Sequence, residues 1–134
     1  MTTTKDRRHG SYKIEVNNQT ITVRFYGSWS KETSEKMCKA FMQEVTAISN
    51  KPWACIIDLT EWELGVPEAW APIAETNRWC AKNNQVFEAV VCTMSIQKFI
   101  LKALQQELPN TESEFFASES QAINWLAEKG FILS

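Results

Sequence analysis

The order in which hydrophobic periodicity changes along the 134 residues leaves few architectures open. Tyr12, Ile14 and Val16 alternate with Lys13 and Glu15, and Ile21, Val23 and Phe25 alternate with Thr20, Thr22 and Arg24. This is the period of half-buried strands, and Asn17-Asn18 between them tolerates the positive φ of a tight turn, so a β-hairpin is expected. The period then lengthens. Behind Ser30, a suitable N-cap, Met37, Cys38, Phe41, Met42, Val45 and Ile48 recur at spacings of three and four, the stripe of a helix over 31–49. Lys51-Pro52 ends it. Trp53 to Leu59 and Val86 to Cys92 are nearly unbroken apolar runs, as strands covered on both faces require. Between them, residues 67–82 carry a helical pattern opening with Pro67, which suits a first turn. Ile96, Phe99, Ile100, Ala103 and Leu104 form the apolar stripe of a third helix behind Ser95. Phe115-Phe116 is a last short strand. Ser118 to Gln121 has the form of a capping box, Gly130 that of a C-terminal stop, and Ala122, Ile123 and Leu126 the buried face of a fourth helix.

The order β-β-α-β-α-β-α-β-α predicts an α/β fold: a mostly parallel mixed sheet of about five strands, begun by a hairpin and packed with four helices. Residues 1–10, MTTTKDRRHG, are polar and aperiodic and read as a disordered tail, leaving 11–134 as a single domain.

Composition removes several functional classes. Fourteen basic against sixteen acidic residues give a net charge of -2, so there is no basic field to neutralise a phosphate backbone, and nucleic acid is not expected as a partner. No apolar run approaches the length of a membrane span and no charged leader precedes an apolar core, so membrane insertion is not expected and the cytoplasm is the expected compartment. Cys38, Cys55, Cys80 and Cys92 match neither zinc-ligand spacing nor a redox pair, and read as small buried hydrophobes. The single histidine, His9, lies in the tail and has no ligand partner at metal spacing. Gly10, Gly27, Gly65 and Gly130 are scattered rather than gathered into a phosphate loop, so no cofactor is implied. Glu61, Glu63 and Glu75 could supply an acid–base pair, but no nucleophile or oxyanion donor lies near them, and no catalytic residues are assigned. The expectation is a protein that is not an enzyme.

The hairpin, the first helix, the strand ending Ile56-Ile57-Asp58-Leu59-Thr60 and the αβ units after it together resemble the STAS domains of bacterial anti-sigma factor antagonists and the broader SpoIIAA-like group. The resemblance spans residues 12–131 and includes one short motif, Asp58-Leu59-Thr60, where that group has Asp-Leu-Ser. It implies a SpoIIAA-like fold and a regulatory, protein-binding role. In switch-type members the strand is followed by Asp-Ser-Ser/Thr-Gly, whose hydroxyl at a helix N-terminus is phosphorylated. Here the stretch reads Glu61-Trp-Glu-Leu-Gly-Val-Pro-Glu-Ala-Trp70, with proline roughly at the switch position, so the phosphorylation mechanism is not carried over. Thr60 is the nearest hydroxyl, and at the end of a strand it reads as structural.

Three of the six tryptophans, Trp62, Trp70 and Trp79, fall between residues 61 and 80, among Glu61, Glu63, Glu68 and Glu75, and no Lys or Arg lies between Lys51 and Arg78. Loops at the carboxyl ends of parallel strands are where open α/β folds place binding residues. The strand-to-helix loop 61–70 and the adjoining helix are therefore the expected contact surface, with Glu61, Trp62, Glu63, Leu64, Pro67, Trp70 and Trp79 as candidate contacts. The competing account has Trp62 and Trp70 covering one end of the sheet. On one unbroken helix Trp79 would face away from Trp70, so either Trp79 is exposed and marks a contact, or Pro72 breaks the helix and resets its phase. The sequence thus reads as a non-catalytic regulatory or interaction module engaging a protein partner or a second copy of itself as a homodimer. The alternative is a carrier or sensor for a small apolar or lipid-like ligand.

Overall fold

The computed structural model describes residues 2–3 and 10–134. His9 and most of the expected tail, residues 1 and 4–9, lie outside them. Thr2–Thr3 (β1) pairs antiparallel with Ile14 and Lys13. The hairpin is formed by Ser11–Asn17 (β2) and Thr20–Trp29 (β3). Its two-residue turn is Asn18-Gln19, one position later than the sequence suggests, and Asn18 takes the left-handed φ of 55°.

From β3 onward the chain alternates: Lys31–Thr46 (α1), Trp53–Gly65 (β4), Trp70–Ala81 (α2) after a 3-10 turn at Pro67–Ala69, Gln85–Val91 (β5), Ser95–Leu104 (α3), Glu112–Phe116 (β6) and Glu119–Glu128 (α4). The strands are laid down in sequential order β1 to β6, with β3 to β6 all parallel. The expected mixed sheet of five strands with four helices is therefore present, with the short β1 added at one edge.

Sequential placement has a consequence for the layers. When each parallel strand is added on the same side of the last, a single crossover hand puts every connecting helix on one face. The core divides accordingly. Met37, Phe41 and Val45 of α1, Ile73 and Cys80 of α2, and Ile100, Leu101 and Leu104 of α3 pack with Ile14, Val23, Cys55 and Val90 of the sheet. Only α4 reaches the other face, where Ala122 and Leu126 meet Ala54, Ile56, Ala89 and Val91. Alternation along β4 and β5 feeds both clusters, which is why these strands read as continuous apolar runs.

The helix ends follow their chemistry. Ser30 Oγ accepts from Thr33 N, as expected of the α1 cap. Ser118 Oγ accepts from Gln121 N, and Gln121 Oε1 reaches back to Ala117 N. At the end of α4, Gly130 at φ 93° lets its own N–H reach Ala127 O and the Phe131 N–H reach Leu126 O, a Schellman closure. At α3 the expectation fails: Met94 is the capping position, without a side-chain bond, and Ser95 is already helical.

One buried charge stands out in the three-helix layer. Glu88 on β5 lies opposite Cys55 and is almost wholly enclosed. Its Oε1 accepts from Gln105 Nε2 at 2.9 Å and from Ser113 Oγ at 3.4 Å. Burial pushes its carboxyl up to about 7, the two hydrogen bonds offsetting only part of that shift. A folded-state value above the unfolded one means the native state holds the extra proton between about 4.5 and 7. Stability is then greatest below that window and falls as pH rises through it. Glu88→Gln keeps an acceptor for Gln105 and removes the ionisation. Thermal melts are expected to show the variant matching the parent at pH 4 and exceeding it at pH 8, by at most about 3 kcal/mol. Equal differences at both pH values would contradict this account.

Candidate functional site

β4 does not stop where its apolar run stops. It continues to Gly65, with Glu61, Trp62 and Gly65 opposite Tyr26, Gly27 and Trp29 of β3. The pairing slips between Arg24 and Tyr26, where β4 advances from Asp58 to Glu61, and again between Gly27 and Trp29. The first slip is a β-bulge, and an extra residue inverts the alternation of faces. Cys55 and Leu59 point into the three-helix layer before it, and Trp62 joins them after it, while Glu61 and Glu63 are exposed. The segment expected as a loop over 61–70 is thus strand to Gly65, a single link at Val66, a 3-10 turn and the first residue of α2. Sequence periodicity missed the extension because the bulges break the pattern that would mark it.

The bulge also decides the fate of Trp62. Its side chain is 2% exposed and packs edge-on to Phe25 at 5.5 Å and to Trp29 at 6.4 Å between ring centroids. Trp29 stacks on Phe25 at 4.1 Å, and its indole N–H is shared between Tyr26 O and Ser11 O. Trp62 therefore offers no surface to a partner; it belongs to the frame beneath the surface. Two glycines allow this cluster to close. A Cβ on Gly10 would overlap the Trp29 ring, and one on Gly65, at φ 136°, would overlap the Trp29 backbone. Leu64 just before it is held at φ 70°, a conformation that costs a leucine free energy and persists because the flanking strand pairing fixes it.

On α2 neither alternative raised for Trp79 holds. Pro72 sits in the first turn, where no intrahelical bond to its nitrogen is needed, so the helix is not broken there. The buried stripe is Ile73, Thr76 and Cys80, and Trp70 and Trp79 lie half-buried on its two flanks, both packed against the core. The 3-10 turn at Pro67 has set this phase. Pro67 and Glu68 are exposed and Leu64 half-buried, so the seven candidate contacts separate into a surface group, Glu61, Glu63 and Pro67, and a supporting group.

The third helix corrects the sequence reading most. Its buried residues are Gln97, Ile100, Leu101 and Leu104, whereas Ile96, Phe99 and Ala103 of the expected stripe are exposed. Gln97 explains the rotation. Its Nε2 donates to Leu59 O at 2.8 Å and Trp62 O at 3.1 Å, both on β4 beyond Asp58, the last of its residues paired with β5. Holding Gln97 inward turns Phe99 out, where it is 72% exposed, with Met94 and Ile96 nearly half exposed beside it. Gln97 Oε1, Trp62 Nε1 and Trp70 Nε1 are buried without a hydrogen-bond partner among the described residues.

Two further clusters carried no sequence signal. Arg24 binds Glu119 through both Nε (2.8 Å) and Nη2 (2.9 Å) and Glu15 through Nη1 (3.1 Å), on the face covered by α4. Asp58 lies beside them; although burial opposes it, hydrogen bonding and Arg24 hold its carboxyl below the usual range. Thr60 is inside β4 rather than at its end, and both its N–H and its hydroxyl donate to Asp58 Oδ1. Between α1 and α2 runs an open groove of about 460 Å³, lined by Lys31, Glu35, Lys39, Met42, Pro72 and Glu75, with Cys38 and Thr76 at its floor. Below the floor is an apolar recess of about 30 Å³ against Val23, Phe25 and Ile57. All four cysteines are free and buried, and burial pushes the Cys38 thiol up to about 11. Among the described residues no cluster of His, Cys, Asp or Glu could hold a metal ion, and no helix is long and apolar enough to cross a membrane.

No protein-family model matches the chain, and no curated protein matches it. Solved structures do. An uncharacterized protein of the DUF3478 family with a SpoIIAA-like fold, from Shewanella loihica PV-4, aligns with a TM-score of 0.67 at 19% identity, over 86% of this chain and 91% of that one. An anti-sigma factor antagonist from Mycobacterium paratuberculosis aligns with a TM-score of 0.58 at 15% identity, over 87% and 92%. The chain has the SpoIIAA-like fold, as its sequence led one to expect.

Removing the frame should cost more than removing the surface. Trp62→Ala is expected to destabilise by about 3–5 kcal/mol, as truncation of a fully buried aromatic does. Glu61→Gln and Glu63→Gln should each stay within about 0.5 kcal/mol of the parent. Denaturant unfolding measures both. A loss below about 1 kcal/mol for Trp62→Ala would remove it from the frame.

Proposed function

We propose that this chain is a regulatory protein-interaction module without chemistry of its own, which presents the segment from Glu61 to Trp70 and the start of α2 to a protein partner. The observation that carries this reading is the form of that segment. Glu61, Glu63 and Glu68 are exposed, have no ion-pair partner among the described residues, and surround Val66, itself 47% exposed. The segment is stiff, held by pairing to β3 and by the Val66 N–H to Trp29 O bond. A rigid acidic strip around an exposed aliphatic residue gives a partner charge complementarity and little ordering cost. Likeness in fold to a protein described as an anti-sigma factor antagonist agrees with such a role. Trp62, Leu64, Trp70 and Trp79 support the strip, and the four free thiols suit a reducing, cytoplasmic setting. Pro67 in place of a hydroxyl leaves no phosphorylation switch at the head of α2 in this reading.

A second reading rests on the α1–α2 groove. Only the side chains of Cys38 and Thr76 are common to the outer groove and the apolar recess beneath it. Parting of the two helices would join the spaces and admit a small apolar or lipid-like ligand.

The first reading is tested by a photoreactive phenylalanine analogue at position 66 or, as control, at position 128 on α4. Irradiation in cells is expected to give an adduct of defined mass from position 66 alone, lost in the Glu61→Lys, Glu63→Lys, Glu68→Lys variant. Equal adducts from both positions, or none from 66, would overturn it. The second reading expects medium-chain carboxylic acids to raise the melting temperature and shift tryptophan fluorescence; a flat response overturns it.

A further inference from the structure

We propose that this chain pairs with a second copy of itself across a two-fold axis, the apolar face of α3 in one copy packing on the acidic segment 61–68 of the other. The inference rests on the interaction reading above and names the partner of that surface.

The first support is an apolar face with nothing on it. Apolar side chains occupy an arc of roughly 200° around α3, and the core uses only the half turned inward by Gln97. The other half exposes Ile96 and Phe99, at 44% and 72%, next to the capping Met94 at 48%, and among the described residues no other large exposed hydrophobics lie so close together in sequence. An exposed phenylalanine flanked by aliphatic residues marks an interface in a chain whose other large aromatics are covered.

The second support is charge. From Thr93 to Gln106 there is no acidic residue, and the only charges are Lys98 and Lys102, neither of which is in an ion pair among the described residues. The 61–68 segment is the reverse: three carboxylates around Val66 and no base. The Gln97 bonds to Leu59 O and Trp62 O bring the first turn of α3 against the strand that leads directly into that segment. One end of the molecule therefore carries a basic-apolar and an acidic-apolar surface side by side.

A surface of that kind is self-complementary. A two-fold contact presents each patch to its opposite: α3 of one copy meets 61–68 of the other, and the reciprocal contact is made at the same time. Packing α3 on α3 would instead oppose lysine to lysine, and 61–68 on itself would oppose carboxylates. A net charge of only -2 adds little general repulsion.

Sedimentation or light scattering of the full chain is expected to give twice the 15.4 kDa chain mass at micromolar to millimolar concentration. Phe99→Ser should weaken the dimer by at least about 10-fold, while at concentrations low enough for both proteins to be monomeric its melting temperature should match the parent's, since the ring is largely in solvent. The deciding measurement uses charge reversal. Glu61→Lys with Glu63→Lys, and separately Lys98→Glu with Lys102→Glu, should each be monomeric; mixed in equal amounts they should form a heterodimer, because every contact is then complementary. A monomeric parent, a dimer indifferent to Phe99→Ser, or reversed variants that fail to pair on mixing would each overturn the proposal. A monomeric parent that still gives the position-66 adduct with another protein would overturn only this inference and leave the interaction reading standing.

Discussion

The packing of Trp29 against Phe25 and Trp62 is the contact on which the rest of this end of the molecule depends. It fixes the last residues of β3, and β3 in turn templates the extension of β4. An aromatic cluster of this size contributes through buried area and through edge-to-face geometry, and it excludes water from the backbone bonds beside it. Its cost is a pair of positions where only glycine fits, Gly10 and Gly65, the second at φ 136°. The carboxyl ends of β3 and β4 are thereby packed together, although the chain there is irregular and carries a leucine in the left-handed region.

Most of the architecture was legible because it rests on periodicity and caps. The hairpin, the two double-sided strands, the Ser30 and Ser118 caps and the Gly130 stop are local statements about local chemistry, and the long-range structure agrees with them. The limits of legibility are equally local. The extension of β4 through Glu61 and Glu63 has no strand-like alternation, because a bulge after Asp58 and a second irregularity before Gly65 interrupt it. Only the partner strand reveals that these residues are paired. Likewise the phase of α2 is set by three residues of 3-10 helix, a detail below the resolution of any hydrophobic pattern.

At the candidate site, the sequence left open which members of the 61–70 segment face solvent and which cover the end of the sheet. Clustered tryptophans and glutamates did mark a distinctive stretch, and the acidic half is exposed. Of the indoles, Trp62 is enclosed, and Trp70 and Trp79 are half-buried against the core, which agrees with the account in which they cover one end of the sheet. The sequence reason is visible in hindsight only through the bulge, which exchanges the faces of odd and even residues between Leu59 and Trp62. Glu88 gave no signal either, since an isolated glutamate in an apolar run is equally compatible with an edge position; its burial is completed by β6 and by the 3-10 turn Gln105–Glu107 that follows α3.

Gln97 shows how one polar residue can convert core into surface. The expected stripe of α3, Ile96 to Leu104, would have been a good core face, and a helix with leucine at position 97 could settle on either half of its apolar arc. The amide decides between them because Leu59 and Trp62 lie on β4 past its last residue paired with β5, where Gln97 supplies the donor to both carbonyls, and a buried carbonyl without one costs more than a methyl group left in water. The bond is not free, since among the described residues Gln97 Oε1 has no partner, and such a cost is typical of polar groups that specify one arrangement among several of similar packing energy. The same residue that satisfies the irregular end of β4 therefore also turns Phe99 outward. Because Gln97 docks on the β4 extension itself, the apolar face of α3 and the acidic strip lie together at one end of the sheet.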